Sequence, residues 1–295
     1  MDGVILIRKE KAYTSFDVVA VVRRLTGQRK VGHTGTLDPN ATGVLPVLLG
    51  TATKAQDIIP CHDKKYLADF KLGVATDTLD IWGTVTEEKP ARVSKDEIEK
   101  ALRGFRGEIE QVPPMYSAVS VDGKRLYRYA REGRTVERPT RSVTVYSLAL
   151  QAFDEATQTG RLDIHCSGGT YVRTLIDDLA RTLGTVGVMT DLLRYEACGY
   201  PLDDCMTLDE LKGAIERGDT GYLHSVESIF MTYDALEVSD KQANRFQNGN
   251  PLELARTALR DHAGDQKIVR VRDRQGCFLS LGITDGEALK VYKHF

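Results

Sequence analysis

The sequence lacks the features that mark several large protein classes. Across its 295 residues, no apolar run approaches the roughly 20 residues that a membrane-spanning helix needs, and the N-terminus shows no signal-peptide pattern. Its five cysteines are an odd number and include no C-x-x-C pair, which disfavours both a disulfide framework and a zinc site. The net charge is only −2, which excludes a protein that coats nucleic acid by bulk charge. We therefore expect a cytoplasmic protein with reduced thiols, no metal and no membrane association.

Sequence motifs of the common nucleotide-dependent and hydrolytic enzymes are also missing. The chain contains no G-x-x-x-x-G-K-[ST] loop, no G-x-G-x-x-G turn after a strand, no H-E-x-x-H and no G-x-S-x-G. Hydrophobic residues nevertheless make up 41% of the sequence, and its length corresponds to about two domains. The chain can therefore bury a sizeable core without any of these sites.

The order of predicted elements favours an α+β fold. Apolar or alternating runs predict strands at residues 4–7, 44–49, 66–72, 142–153 and 162–166. Capping boxes predict helices after Ser94 and Thr207, and residues 171–183 predict a further helix. Ser15 is predicted to cap a helix that ends before Gly27. Many strands with few regular βαβ units indicate an α+β sheet protein rather than a doubly wound one.

Two segments are more basic than the chain as a whole. Residues 240–295 carry ten Lys or Arg against seven acids, and their short strands predict a small β-rich module. Residues 121–146 carry seven basic residues against three acids. If residues 126–132 are helical, Arg125, Arg128 and Arg131 form a cationic stripe, with Lys124 and Arg134 beside it. Two interpretations stay open: a solvated helix face, or arginines that contact RNA phosphates.

One glycine-bounded loop presents a single carboxylate. Residues 32–39 read GHTGTLDP and lead into ATGVLP at residues 41–46. In isolation, Asp38 would be interpreted as the cap of an Asx turn. However, residues 65–66 (KY), 76–83 (TDTLDIWG), 168–179 (GGTYVRTLIDDL) and 192–194 (LLR) follow in order. Together with the loop, these segments closely resemble the motifs of the TruB family of tRNA pseudouridine synthases.

The resemblance implies a fold, an activity and a set of site residues. The fold would be that of a pseudouridine synthase, with a mixed, mostly antiparallel central sheet flanked by helices, and a PUA-like C-terminal module. Residues 1–235 would form the catalytic domain, with 121–146 as an insertion that grips RNA, and residues 236–295 would form the RNA-binding module. The activity would be isomerisation of a flipped-out uridine, uridine 55 in the T-loop of tRNA, by a monomer without cofactor or metal. Asp38 would act as a nucleophile or as a base, and the implied substrate-binding residues are His33, Tyr66, Tyr171, Arg173 and Leu193.

Two alternatives and one departure from the family pattern accompany this interpretation. A guide-RNA-dependent synthase of the dyskerin type is disfavoured because such proteins lack a comparable gripping insertion. A tRNA-binding or folding chaperone without essential catalysis is disfavoured because Asp38, Tyr66 and Arg173 are all present. The family often reads K-P-x-G-x-T-S near its start, whereas residues 9–15 of this chain read KEKAYTS. The absence of Pro and Gly leaves the conformation of this loop undetermined.

Overall fold

The computed structural model describes residues 1–262 and 264–295. Its strands are β1 Gly3–Lys9, β2 Val31–His33, β3 Thr42–Leu49, β4 Lys64–Leu72, β5 Val74–Thr76, β6 Val85–Glu88, β7 Gly107–Gln111, β8 Ser120–Val121, β9 Lys124–Arg125, β10 Arg141–Asp154, β11 Thr159–Cys166, β12 Gly187–Ala197, β13 Tyr200–Pro201, β14 Ala235–Glu237, β15 Leu252–Glu253, β16 Ile268–Arg272, β17 Phe278–Asp285 and β18 Ala288–Lys293. Its α-helices are α1 Ser15–Thr26, α2 Lys95–Leu102, α3 Leu126–Arg131, α4 Val172–Thr182, α5 Leu208–Glu216 and α6 Asp240–Gln247. Short 3₁₀ turns lie at Gly50–Ala55, Arg103–Phe105, Leu202–Asp204, Val226–Phe230, Leu254–Arg256 and Arg260–His262.

The predicted mixed sheet is confirmed, and its strands lie within residues 3–201. Its strands run in the order β1-β3-β12-β4-β11-β10-β7, with β2 on β3 and β13 on β12. All of these pairs are antiparallel except β12 with β3. In the parallel pair, Gly43 lies opposite Arg194, and a Cβ at Gly43 would overlap the carbonyl oxygen of Arg194. Glycine is therefore required where the loop before β3 meets the middle of the sheet.

Helices α1, α2, α4 and α5 pack against one face of this sheet, and local capping fixes where they begin. The helices predicted after Ser94 and Thr207 are confirmed, each with a complete capping box. The expectation that Ser15 caps α1 is wrong, because Thr14 is the N-cap and accepts the hydrogen bond from the Asp17 amide. Helix α4 packs into the core cluster around Phe70 on β4, and α1 and α5 pack against β1 and β3 in a second cluster on the same face of the sheet.

The C-terminal region forms a second sheet of PUA-like, strand-rich character. Its five strands run in the order β14-β16-β17-β18-β15, and α6 packs against them through Phe246. Aromatic side chains join this sheet to the large one, because Phe230, Phe278 and Phe295 cluster with Val4 and Leu48. Within the described residues, each helix is too short or too polar to span a bilayer.

Candidate active site

The loop between β2 and β3 presents Asp38, and two side chains outside the loop hold it. Leu37 is buried, and both of its backbone polar groups bind the Ser15 hydroxyl, at 2.8 Å from the amide and 3.1 Å to the carbonyl. The Lys9 ammonium donates to the carbonyl of Pro39 at 3.0 Å. The backbone on either side of Asp38 is therefore fixed to α1 and β1, which orients the carboxylate before any ligand binds.

Lys9 also binds the segment that follows it, residues 10–15, where the sequence departs from the family pattern. Its ammonium donates to the carbonyls of Glu10 and Tyr13, and the residue is only 1% exposed. Burial lowers the pKa of Lys9 to about 8. Ala12 lies in the left-handed region with φ = 67°, at the position where the family often has glycine. The loop therefore keeps a turn that suits glycine although the residue there is alanine.

Arg173 binds both oxygens of the Asp38 carboxylate. Its Nε lies 2.9 Å from Oδ2 and its Nη2 lies 3.1 Å from Oδ1, which is the two-bond arrangement that a guanidinium favours. The remaining donors reach the carbonyls of Thr78 at 2.9 Å and Tyr116 at 3.0 Å. The side chain of Arg173 is 6% exposed and that of Asp38 is 35% exposed. The arginine is thus locked in place while the carboxylate keeps one open side.

A second carboxylate lies behind this pair. Asp80 Oδ2 is 3.9 Å from Arg173 Nη1, and its other oxygen accepts hydrogen bonds from the Thr78 hydroxyl and the Trp82 amide. Burial raises the pKa of Asp80, against the opposing effects of the Thr78 hydrogen bond and Arg173. Asp80 therefore completes the surroundings of Arg173 from the side away from Asp38.

Asp38 opens onto a cavity of about 490 Å³, a volume within the usual range of ligand sites. Tyr66 on β4 forms part of its wall and is 5% exposed. Burial raises the pKa of the Tyr66 hydroxyl to about 12, so the ring carries a neutral hydroxyl at physiological pH. Such a ring can stack on a flat ligand and exchange hydrogen bonds, but it is not present as a phenolate.

Two further cations, one lining the cavity and one buried behind the Asp38 loop, were not predicted as site residues. Arg194 is fully buried and donates to the carbonyls of Val44 at 2.8 Å and Gly35 at 3.1 Å, which ties the Asp38 loop to the centre of the sheet. Lys64 lines the cavity and donates to the carbonyl of His62 at 2.7 Å. Burial lowers the pKa of Lys64, and Arg194 lowers it further. Lysine and arginine usually lie on the protein surface, so the sequence alone gives no reason to place these two in or behind a cavity.

The structure places most of the predicted site residues around Asp38. Tyr66, Tyr171 and Arg173 line the cavity with Asp38, whereas His33 lies in a second hollow on the other side of the carboxylate. Burial lowers the pKa of His33, and its Nδ1 has no hydrogen-bond partner among the described residues.

Leu193 differs from the prediction, because Leu192 lines the cavity in its place. Successive side chains of a strand point to opposite faces, and the face of Leu192 carries Tyr66 in the same core cluster. Leu193 therefore points away from the cavity.

Residues 116–118 form a wall of the site that the sequence did not reveal. Ser117 and Ala118 line the cavity, and the backbone of Tyr116 binds Arg173. This segment is also joined to α3, since the Tyr127 amide donates to the Ser117 carbonyl at 3.2 Å. Neither helical nor strand periodicity marks these residues, so no local signal connects them with a carboxylate some eighty positions earlier in the chain.

The basic stripe is confirmed as an exposed helix face. Residues 126–131 form α3, with Leu126 and Tyr129 buried and Arg125, Arg128 and Arg131 exposed. The flanking basic residues, Lys124 and Arg134, make contacts within the protein. Lys124 forms an ion pair with Glu132 at 2.6 Å and lies over the Tyr129 ring, which also contacts Arg134. The three stripe arginines are exposed as well, although Arg125 donates to the Ala118 carbonyl and Arg131 lies over the Tyr127 ring.

The chain is similar to known proteins over most of its length. The family model described as TruB family pseudouridylate synthase, N-terminal domain, matches residues 23–172. The tRNA pseudouridine synthase B of Geobacillus thermodenitrificans is 44% identical over 261 residues, which cover 86% of each chain. That of Caldanaerobacter subterraneus is 38% identical over 297 residues, covering 100% of this chain and 99% of the relative.

A solved structure extends the similarity to the fold. A chain in the structure of an H/ACA ribonucleoprotein bound to a substrate RNA containing 2′-deoxyuridine superposes with a TM-score of 0.74. The superposition covers 99% of this chain and 84% of that chain at 23% identity. At that identity, the likeness establishes a shared fold over nearly the whole length.

Proposed function

The chain belongs to the TruB family of pseudouridine synthases, and from that premise we propose that it converts uridine 55 in the T-loop of tRNA to pseudouridine. The observation that carries the proposal is the Asp38–Arg173 pair at the edge of a cavity of about 490 Å³. The relatives of similar length are named tRNA pseudouridine synthase B, which favours tRNA over a guide-RNA-selected substrate. A monomer acting in the cytoplasm completes the proposal.

The cavity suits a nucleotide that has left its stack. The uracil would enter beside Tyr66, whose neutral ring stacks on the base, and the sugar would face the open side of Asp38. Asp38 then acts at C1′ as a nucleophile or at C2′ as a base. The C1′–N1 bond breaks, the uracil turns, and the C1′–C5 bond forms. The base loses the proton on C5 and gains one on N1, so the overall change is an isomerisation.

Arg173 has a positioning role in this scheme. Because its four donor contacts fix the guanidinium, the Asp38 carboxylate has one orientation in the free protein. A fixed charge needs no reorganisation at the moment of reaction. Tyr171 contributes to the wall of the cavity, and Leu192 packs beside Tyr66.

The RNA would be held by α3 and by the C-terminal module. We assign residues 1–235 to catalysis, with 121–146 as the gripping insertion, and residues 236–295 to RNA binding. The five-stranded sheet begins at Ala235, within one residue of this boundary, which supports it. Arg125, Arg128 and Arg131 point outward and match phosphate geometry.

The stripe can be tested through the salt dependence of tRNA affinity. Replacing the three stripe arginines by Ala should reduce the slope of log K against log salt by up to about 0.9 for each lost phosphate contact. Replacing the exposed residues Lys95, Lys212 and Arg217, which lie on α2, on α5 and directly after α5, gives a control with the same loss of charge. Equal slopes for the two triple variants would assign the stripe to solubility.

The position of the modified uridine tests the proposed substrate directly. Unmodified tRNA transcripts are incubated with the protein, and pseudouridine is mapped by carbodiimide adduct formation followed by primer extension. We expect one stop, at the position corresponding to uridine 55, without any added guide RNA. A stop at another position would show that a different uridine is the substrate. A requirement for a guide RNA would favour the dyskerin-type alternative.

A further inference from the structure

The first turn of α4 carries Arg173, and Tyr171 is the residue at which this helix begins. Helices α1, α2, α5 and α6 start with a capping box, in which the side chain of the third helical residue binds the N-cap amide. The Tyr171 side chain makes no capping hydrogen bond, and the third residue of α4 is Thr174. The buried Thr174 hydroxyl has no hydrogen-bond partner among the described residues. The start of α4 therefore depends on a group from outside the helix.

Gln111, at the end of β7, supplies this group. Its Oε1 accepts a hydrogen bond from the Tyr171 amide at 2.9 Å, and its Nε2 donates to the Tyr171 carbonyl at 3.3 Å. The residue is only 1% exposed, so water does not compete for either bond. The same carbonyl accepts the first helical hydrogen bond, from the Leu175 amide at 3.0 Å. One side-chain amide thus holds both backbone polar groups of the residue that starts α4.

The loop that enters α4 contains two glycines directly before Thr170. Gly169 is exposed and lies in the left-handed region with φ = 86°. Glycine loses more conformational freedom than any other residue when the chain becomes ordered. The two bonds from Gln111 therefore fix the chain at the point where this glycine loop becomes a helix.

Gln111 also connects two segments that line the cavity beside Asp38. The chain continues from Gln111 into residues 112–118, which include two lining residues and the Tyr116 carbonyl that accepts from Arg173 at 3.0 Å. The second segment is the start of α4, from which Tyr171 and Arg173 line the same cavity. Gln111 therefore ties both segments together next to the guanidinium that they share.

We propose that Gln111 is a positioning residue for the reaction. By holding Tyr171 it sets the first turn of α4, and thereby the orientation in which Arg173 binds the Asp38 carboxylate. This inference rests on the proposed function, because the reaction is the one assigned to Asp38. Gln111 does not line the cavity, so it acts through Tyr171 and Arg173 and does not touch the substrate. A displacement of about 1 Å caused by a distant residue can slow a reaction by about 100-fold.

Gln158 offers a matched control, because it makes the same contact in another part of the fold. Its Oε1 accepts from the Val93 amide at 3.0 Å, and its Nε2 donates to the Val93 carbonyl at 2.9 Å. Gln158 is 8% exposed and lines neither hollow beside Asp38. Methionine is unbranched like glutamine but lacks the amide. Gln111→Met and Gln158→Met therefore remove the same pair of bonds at two places.

The first test separates turnover from binding. With the full-length protein in excess, tritium release from a T-arm hairpin RNA labelled at uridine C5 gives the single-turnover rate, and the Kd for this hairpin is measured separately. We expect Gln111→Met to slow the rate by about 10- to 100-fold at an unchanged Kd, and Gln158→Met to change neither. Equal rates for the two variants, or a weaker Kd that accounts for the whole loss, would overturn the proposal.

A shorter amide keeps this comparison available if Gln111→Met does not fold. Gln111→Asn and Gln158→Asn retain the amide, but their side chains are one methylene too short to make both bonds. The same difference in single-turnover rate is expected between them, and its absence would count against the proposal in the same way.

The coupling free energy between Asp38 and Arg173 is a readout that needs no activity. It is obtained from urea unfolding of Asp38→Asn, Arg173→Met and the double variant, in the wild-type background and in the Gln111→Met and Gln158→Met backgrounds. We expect the coupling to fall in the Gln111→Met background alone. An unchanged coupling there would contradict the role of Gln111 in orienting Arg173.

Tritium release by the wild type separates the failure of this inference from the failure of the proposed function. If the wild type and both methionine variants release tritium at the same rate, Gln111 has no positioning role and the proposed function stands. If the wild type releases none, the assigned reaction fails, and the unfolding measurements still decide whether Gln111 orients Arg173.

Discussion

Breaking the Asp38–Arg173 pair should have a large and asymmetric effect on stability. Arg173→Met removes a guanidinium that is 6% exposed, leaves Asp38 and two backbone carbonyls without their donor, and removes the positive charge near Asp80. Removing one partner of a buried pair costs about 3–5 kcal/mol, and we expect the lower end here because Asp38 is one-third exposed. Asp38→Asn should cost less, since Arg173 retains Asp80 and both carbonyls.

The coupling between these residues is measured by urea unfolding of both single variants and the double variant. We expect the double variant to be more stable than additivity predicts by about 1–3 kcal/mol. The control is the pair of Arg161 and Asp69, which has the same two-bond geometry with Nε–Oδ1 at 2.6 Å and Nη2–Oδ2 at 2.8 Å. Arg161 is 49% exposed, so its coupling should be below about 1 kcal/mol. Equal coupling in the two pairs would refute the claim that burial makes the Asp38–Arg173 contact strong.

Three further predictions concern stability. Glu227 binds Arg270 at 3.0 Å while both are nearly buried, so Glu227→Ala should lower the free energy of unfolding by about 3–5 kcal/mol. Glu253→Ala, at an exposed pair, should cost below about 1 kcal/mol in the same urea titrations, and equal losses would contradict the role of burial. Burial lowers the pKa of Lys9 from 10.5 to about 8, so the unfolded chain binds more protons between those values and stability rises with pH there. Relative to Lys9→Met, the wild type should gain up to about 3 kcal/mol between pH 8 and 10.5, and a constant difference would refute this. Ala12→Gly should raise the melting temperature by relieving about 1 kcal/mol of left-handed strain at φ = 67°, whereas a lower melting temperature would show that the turn is unstrained.

The sequence predicted the structure correctly where the signal lies in residues close together in the chain. Capping boxes at Ser94 and Thr207 fixed two helix starts, and the spacing of arginines in residues 125–131 located an exposed helix face. The motif resemblance also joined Asp38 to Arg173 across 135 positions, which composition and periodicity do not reveal.

Tertiary contacts decided what the sequence left open. Thr14 and Ser15 are both good caps, and Thr14 takes the role because the Ser15 hydroxyl is bound to Leu37. Leu192 and Leu193 are chemically identical, and only the register of β12 decides which of them faces the cavity.

The positions of the buried cations Lys9 and Arg194 also depend on tertiary contacts. Lys9 and Arg194 donate to backbone carbonyls, and a carbonyl leaves no mark in a sequence. Their role in holding the Asp38 loop depends on distances between β1, β3 and β12, which only the folded chain sets.

The central claim is that Asp38 performs the chemistry on a uridine held in the adjacent cavity. The most direct measurement is tritium release to water from tRNA labelled at uridine C5, comparing the wild type with Asp38→Asn. We expect release by the wild type without added cofactor, and no detectable release by Asp38→Asn although it still binds the tRNA. Release by the variant at the wild-type rate, or none by the wild type, would contradict the account.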